Sequence, residues 1–330
     1  MKKNILYVVV PCYKEEEVLP ETSRRLKEKL NHLMEKKKID RRSRIMFVND
    51  GSTDHTWEMI EKLHEEDPIF SGVNLSRNRG HQNALLAGLT TAVNFADMMI
   101  SMDADLQDDV NAIDEMVDRY LEGFDVVYGV RSSREKDTFF KRFTAELFYK
   151  MMRMMGADIV FNHADYRLMS RRAVEGLQEF TEVNIFLRGI VPQIGYPWCT
   201  VEYERAERFA GESKYPLKKM IAFAFDGITS FSIKPIRLIT MLGAGISVVS
   251  FLFLIWTLVI KIAGYTVQGW SSLMVSIWIL GGIQLLCLGV IGEYIGKIYS
   301  ETKRRPSFII ERVLNDGGNE EEGKFPYQVD

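Results

Sequence analysis

Cysteine is scarce in this chain: three in 330 residues, Cys12, Cys199 and Cys287, widely separated. That excludes a disulfide framework and a cysteine-built zinc site, and it suits a reducing compartment. Net charge is equally slight. Lys+Arg 42 stand against Asp+Glu 45, a formal −3, so a nucleic-acid-binding role is not expected. No G-x-G-x-x-G follows the first apolar run, and no G-x-x-x-x-G-K-[ST] occurs anywhere. Dinucleotide oxidoreductases and P-loop nucleotide hydrolases thereby lose their main support. Charge is nearly missing from one long stretch: from Leu238 to Gly292 the only charged residue is Lys261. Elsewhere the chain has the balance of a folded domain, with 46% hydrophobic and 26% charged residues overall.

The stretch poor in charge holds two uncharged runs, Leu238–Ile260 and Ile262–Gly292. A membrane-spanning helix needs about 20 apolar residues, so each run is long enough. A pair of buried core helices is the competing reading, but such helices are usually shorter and keep a polar face. The expected organisation is a soluble domain over 1–235, a two-helix hairpin within 236–296 (spans near 238–260 and 271–295), and a partly disordered tail over 297–330. Lys234 and Arg237 precede the first run, and Lys297, Lys303, Arg304 and Arg305 follow the second, whereas the intervening loop has one cation. The positive-inside rule then places the soluble domain and both termini in the cytoplasm, on a cell membrane crossed twice. The short apolar run Ile5–Pro11, followed at once by Lys14 and Glu15–Glu17, does not read as a signal peptide. Residues 139–155 and 215–233 mix bulky apolar side chains with lysine and arginine and are expected as amphipathic helices at the membrane surface.

Within the soluble part, strand and helix patterns alternate. Apolar runs at Ile5–Val10, Arg44–Asn49, Ile69–Leu75, Asp97–Met102 and Asp125–Val130 predict five strands of a mainly parallel sheet. Helical spacing of Leu26, Leu30 and Leu33, a helix capped by Thr53 or Asp54, an Ala/Leu-rich helix over His81–Phe95, and a helix over 109–121 fill the gaps. The fold class is α/β. In such sheets ligands bind beyond the carboxyl ends of the strands, and polar residues gather there: Tyr13 and Glu15 after the first, Asp50 after the second, Asp103 and Asp105 after the fourth.

Two carboxylates one residue apart, Asp103 and Asp105, at the end of a buried strand are costly unless neutralised. A hard divalent cation, Mg²⁺ or Mn²⁺, is the usual remedy and leaves room for substrate phosphates. Asp50, at a strand tip, is placed to accept from a nucleobase or ribose, while Ser52 and Asp54 suit a turn and a cap. Pro11-Cys12-Tyr13-Lys14-Glu15 makes a third tip, with an aromatic ring for a base to stack on.

The stretches VVVPCYKEEE, FVNDGSTD, SRNRGHQNALLAG, MDADLQDD, HADYRLMSRRAV, FLRGI and RFAGESKYPLKK follow one another in this order. Together, over about residues 4–310, they resemble the family 2 glycosyltransferases of GT-A fold, and among these the polyprenyl-phosphate glycosyltransferases. Asn49 stands where an aspartate is common. The resemblance implies that Pro11, Tyr13, Glu15, Asp50, Asp103 and Ala104 hold the nucleotide, and that Asp103, Asp105 and Gln107 hold Mg²⁺ or Mn²⁺. It places Asp165 where the family carries its proposed base, and Arg131, Arg208 and Lys214 where cations face phosphate, with Arg188 a further candidate. The implied reaction is inverting transfer of one sugar from a nucleotide sugar (UDP-glucose first, UDP-N-acetylglucosamine next) to undecaprenyl or another polyprenyl phosphate. A homo-oligomer is compatible with this. Transfer of mannose, a processive polysaccharide synthase and a non-catalytic membrane scaffold are the alternatives. The synthase is disfavoured by the absence of Q-x-x-R-W, and the scaffold by the intact acidic residues.

Overall fold

The computed structural model describes residues 4–132, 163–182, 186–204, 234–263 and 269–315. The helices expected over 139–155 and 215–233, Arg208, Lys214 and the tail beyond Asn315 lie outside these residues. The chain divides into a sheet-centred unit, which residues 306–315 rejoin, and a unit of long helices between 216 and 305.

Eight strands form one sheet in the order β7-β5-β6-β4-β1-β2-β3-β8. They are β1 (Leu6–Cys12), β2 (Arg44–Asn49), β3 (Phe70–Leu75), β4 (Met98–Ser101), β5 (Val126–Arg131), β6 (His163–Ser170), β7 (Trp198–Tyr203) and β8 (Ile310–Leu314). The centre, β3-β2-β1-β4, is parallel, as is the β5–β7 pair. β6 and β8 run antiparallel to their neighbours. Every residue of β1 is buried, as expected of a central strand covered on both faces. The covering helices are α1 (Leu19–Glu35), α2 (Thr56–Glu66), α3 (His81–Ala92), α4 (Ala112–Leu121) and α5 (Arg171–Gln178). Leu19, Leu26, Leu30 and Leu33 recur at helical spacing and form the buried stripe of α1. α3 lies tightest: a Cβ on Gly88 would sit 2.4 Å from Val9 Cγ1 and 2.6 Å from Val48 Cγ2.

The five expected strands are present: β2 has the expected bounds, and the ends of the others differ by at most two residues. Three more were not expected. β6 is hidden because its apolar residues Tyr166 and Leu168 flank a buried arginine, Arg167, so no apolar run betrays it. β8 falls in the supposed tail. Its sequence IERVL is half polar, as suits an edge strand, yet it pairs with β3 from Gly72↔Leu314 to Leu75↔Ile310. Helix α4 starts at Ala112 rather than at 109, because Asp109 spends its carboxylate on the Asn111 N–H (2.9 Å) and Asp108 turns inward. Asp54 does serve the start of α2, accepting from the Thr56 hydroxyl at 2.7 Å.

In the second unit, α6 (Lys234–Ile262) and α7 (Trp270–Lys303) are long helices. Among the described residues one segment, Ile279–Lys303 in α7, is long and apolar enough to cross a membrane, and a shorter apolar segment, Ile239–Phe253, lies in α6. Large apolar side chains such as Phe251, Leu252, Phe253 and Trp256 are exposed on α6.

Candidate active site

The candidate residues meet at the carboxyl ends of β1, β2 and β4, with β6 alongside. The loops after β1 and β2 are stitched together by backbone N–H groups, one onto a carbonyl and two onto hydroxyls. Asp50 N–H donates to Cys12 O at 2.9 Å, Lys14 N–H to Ser52 Oγ at 3.0 Å, and Glu15 N–H to Thr56 Oγ1 at 3.0 Å. Pro11 is buried beneath this junction, and Tyr13 projects from it with its ring exposed. Glu15 is half-buried.

Asp50 is buried, and its carboxylate turns toward the chain itself. One oxygen accepts from the Arg79 N–H at 2.6 Å and the other from the Gly80 N–H at 2.9 Å. Burial raises this carboxyl above its ordinary value, and the two N–H bonds offset part of that rise. Gly51 follows in a left-handed conformation (φ 61°), and a Cβ there would come within 2.4 Å of Asn78 N. The Asp50-Gly51 pair therefore seats the 77–80 loop that leads into α3.

His81 opens α3 and points its Nε2 at Asp103 Oδ1, 3.4 Å away. When protonated, its ring also acts on Asp50 and Asp165. Asp103 is lifted above the usual carboxylate range by desolvation, against which His81 acts, and further by the like charges of Asp165 and Asp105. Ala104 is buried, and its carbonyl accepts from the Thr22 hydroxyl at 2.8 Å, which pins the acidic loop to α1. Asp105 Oδ1 accepts from the Gln107 N–H at 3.2 Å, across Leu106 in a left-handed conformation. No cluster of three or more His, Cys, Asp or Glu arranged as metal ligands occurs among the described residues. The donor set on offer is a different one: two carboxylates and the Gln107 amide oxygen, all hard. A buried carboxyl raised by desolvation and by the like charges beside it, as Asp103 is, marks the electrostatic setting that a divalent cation relieves.

Asp165, near the start of β6, is engaged on both oxygens. Oδ1 accepts from Arg167 Nη2 at 2.8 Å and Arg188 Nε at 3.2 Å, and Oδ2 accepts from Arg188 Nη2 at 2.9 Å. Burial works to raise this carboxyl, but the charges of Arg188 and Arg167 prevail and hold it well below the carboxylate range. Asp108 behaves oppositely. It is buried beside Asp103, accepts from the Tyr203 hydroxyl at 2.5 Å, and is pushed up to about 6 by desolvation. Arg131 belongs to the same cluster, donating to Tyr203 and acting on Asp108 by its charge.

Of the expected residues, Pro11, Tyr13, Glu15, Asp50, Asp103, Ala104, Asp105, Gln107, Arg131, Asp165 and Arg188 thus stand at or beside one end of the sheet. Sequence reasoning passed over Arg167 and Tyr203. A signal existed for the first: on a strand, residues two apart share a face, so Asp165 fixes the side on which Arg167 lies.

The fold and this site define a class: an α/β protein whose mainly parallel sheet carries, at the carboxyl ends of its strands, an acidic centre flanked by arginines. Comparison with known proteins narrows it. Residues 7–177 match the model of Glycosyl transferase family 2, and residues 234–298 match the GtrB C-terminal hairpin. The chain belongs to glycosyl transferase family 2. It is 52% identical over 307 residues to the uncharacterised glycosyltransferase YkoT of Bacillus subtilis (strain 168), covering 93% of this chain and 91% of that one. It is 41% identical over 311 residues to the prophage bactoprenol glucosyl transferase homolog of Escherichia coli (strain K12), covering 93% and 98%. Among solved structures, glucosyl-3-phosphoglycerate synthase from Mycobacterium tuberculosis, in complex with Mn²⁺, UDP-glucose and phosphoglyceric acid, aligns with a TM-score of 0.42 at 17% identity, over 68% of this chain and 78% of that one.

Proposed function

We propose that this protein transfers one glucose, with inversion, from UDP-glucose to a polyprenyl phosphate such as undecaprenyl phosphate at the cytoplasmic face of a membrane. The carrying observation is the juxtaposition of the acidic pair Asp103/Asp105 with the arginine-clamped Asp165 at one end of the sheet. Relatives named bactoprenol glucosyl transferase, 41% identical over most of their length, support the acceptor and the sugar. UDP-N-acetylglucosamine is the next donor to try.

In this reading Tyr13 stacks on the base, Pro11, Glu15 and Ala104 shape its pocket, and Asp50 holds the 77–80 loop against the nucleoside. Asp103, Asp105 and Gln107 would hold Mg²⁺ or Mn²⁺, which, when bound, stabilises charge on the departing diphosphate as a Lewis acid. Arg131, Arg208 and Lys214 would supply phosphate contacts, for which a guanidinium fork is well shaped. The acceptor is a phosphate whose second pKa lies near ~6, so its oxygen is largely ionised at neutral pH.

The return of the chain supports an even number of membrane crossings. β8 follows the helices yet pairs with β3 of the domain from which the helices departed. A strand can join that sheet only on the same side of the membrane. Two crossings, by α6 and α7, satisfy this and agree with the lysines and arginines at the outer ends of both helices.

Radiolabelled UDP-glucose or UDP-N-acetylglucosamine, undecaprenyl phosphate and Mg²⁺ added to membranes containing the protein test the reading. Label should enter the organic phase with wild type and not with Asp105→Ala. Equal background in both would refute it.

A further inference from the structure

The Asp165 carboxylate sits where a base would be sought, yet it is surrounded as an anchor. Three N–H groups from two arginines occupy its two oxygens. Arg167 is buried and makes a second donation, to Leu187 O at 3.4 Å. It therefore grips both the carboxylate and the residue before Arg188. The turn Leu187–Ile190 that bears Arg188 is fixed from α3 as well, through Leu187 N–H to Gln82 Oε1 at 3.2 Å. The backbone of β6 is tied to the strand leading to Asp103: the Ser101 hydroxyl donates to Asp165 O at 2.5 Å and lies 3.3 Å from Arg167 O.

Building on the function proposed above, we infer that Asp165 and Arg167 are positioning residues forming a rigid seat for Arg188, and that Arg188 meets a phosphoryl oxygen of the reacting substrates. The charge count explains the second arginine. With one guanidinium, Asp165 would be neutralised and the neighbouring Asp103 left to repel a phosphate; the second guanidinium supplies a positive charge that offsets Asp103, which interacts with both arginines. Arg167 is buried, so that charge is presented through Arg188, whose side chain is 33% exposed. A carboxylate accepting a fork on both oxygens offers little to an incoming proton. No proton acceptor is required either. The ionised phosphate oxygen forms its bond to the anomeric carbon, the bond from that carbon to the nucleoside diphosphate breaks, and the electron pair departs with the diphosphate.

The test is a double-mutant cycle on the full-length protein in membranes, with Asp165→Asn, Arg188→Gln and the pair, read as kcat and KM for both substrates. Each single change should lower kcat/KM by roughly 10–100-fold, mainly through KM, and the pair should be within about threefold of the worse single change. A raised KM for the polyprenyl phosphate places Arg188 on the acceptor; a raised KM for UDP-glucose places it on the donor. The acid limb of the pH–rate profile, set by the acceptor near ~6, should persist in Asp165→Asn. The inference is overturned by losses that multiply, by disappearance of that limb, or by a fall of about 10²–10⁴ in kcat alone for Asp165→Asn, the mark of a lost general base. Should Asp165→Asn not fold, Arg188→Gln decides: an unchanged KM for both substrates overturns the inference, and a raised one upholds it. A wild type that moves no sugar refutes the function and this inference together, whereas an active wild type with multiplying losses refutes the inference alone.

Discussion

Tyr203 on β7 donates its hydroxyl proton to Asp108 across 2.5 Å, and so ties the acidic loop after β4 to the far edge of the sheet. Both residues are buried, and the Tyr203 ring also meets Tyr166 edge-on at 5.2 Å. Tyr203→Phe keeps the ring packing and removes the hydroxyl, which donates to Asp108 and accepts from Arg131. Asp108 then stays buried with one partner fewer, a loss of about 1–3 kcal/mol. The urea midpoint of the detergent-solubilised protein should fall accordingly. A midpoint equal to wild type would mean that the carboxyl finds another donor.

Asp50→Asn isolates the seat of the 77–80 loop. A carboxylate accepts from Arg79 and Gly80 together, whereas an amide has one oxygen and must turn its NH₂ toward the other N–H. One bond is lost and two donors face each other. The expected cost is about 1–3 kcal/mol, with faster hydrogen exchange at the Arg79 and Gly80 amides. Under the proposed function, the KM for the nucleotide sugar rises too, because Tyr13 and Asp50 share one stitched loop pair. Unchanged exchange at both amides would show that Asp50 does not hold this loop.

Asp125 offers a pH test away from the active centre. Burial raises its carboxyl, but hydrogen bonds from Arg172 and from Ser170 (2.7 Å), together with the charge of Arg172, leave it below its ordinary value. A carboxyl depressed in the folded state stabilises fully above its unfolded pKa of about 3.9, and that contribution fades as pH falls through the folded value. Melting temperatures of wild type and Asp125→Asn should therefore differ at pH 6 and converge as pH falls below about 4. A gap that stays constant down to pH 3 would assign the effect of the substitution to packing.

These residues also show how far sequence reasoning reaches. β1, β2 and β4 were legible because central parallel strands are apolar on both faces, and their carboxyl ends located Asp50, Asp103 and Asp105 without a structure. β6 was not legible, since a charge in mid-strand breaks the apolar run, and Arg167 is tolerated only through Asp165 and Leu187 O, partners that pairing and tertiary folding supply. Tyr203 was equally silent, because its partner Asp108 lies 95 positions away. Asp108 lies directly before the expected helix over 109–121, and only the structure shows it turned inward while Asp109 accepts from the Asn111 N–H. The inward turn of Asp50 likewise depends on a loop 29 residues downstream.

β8 gives the last prediction. Without it, β3 is an unpaired edge, and unpaired edges invite association with other chains. The strand is held by backbone pairing, by Ser76 N–H to Ile309 O at 3.1 Å, by the Arg312–Glu61 ion pair at 2.5 Å, and by Leu314 packed on the core. A chain ending at Ser307 keeps both long helices and the other strands, and loses this closure together with the buried Phe308 and the Tyr7–Asn315 hydrogen bond. Its Ser76 amide should exchange quickly, its stability should fall by about 1–3 kcal/mol from the lost bonds and the Leu314 side chain, and it should aggregate when extracted. Restoring Ile310–Leu314 as a separate peptide should slow the Ser76 exchange again. If the shortened chain instead behaves as wild type, β8 is dispensable to the domain. Because β8 follows α6 and α7 in the chain, the sheet can complete this edge only after both long helices have been made.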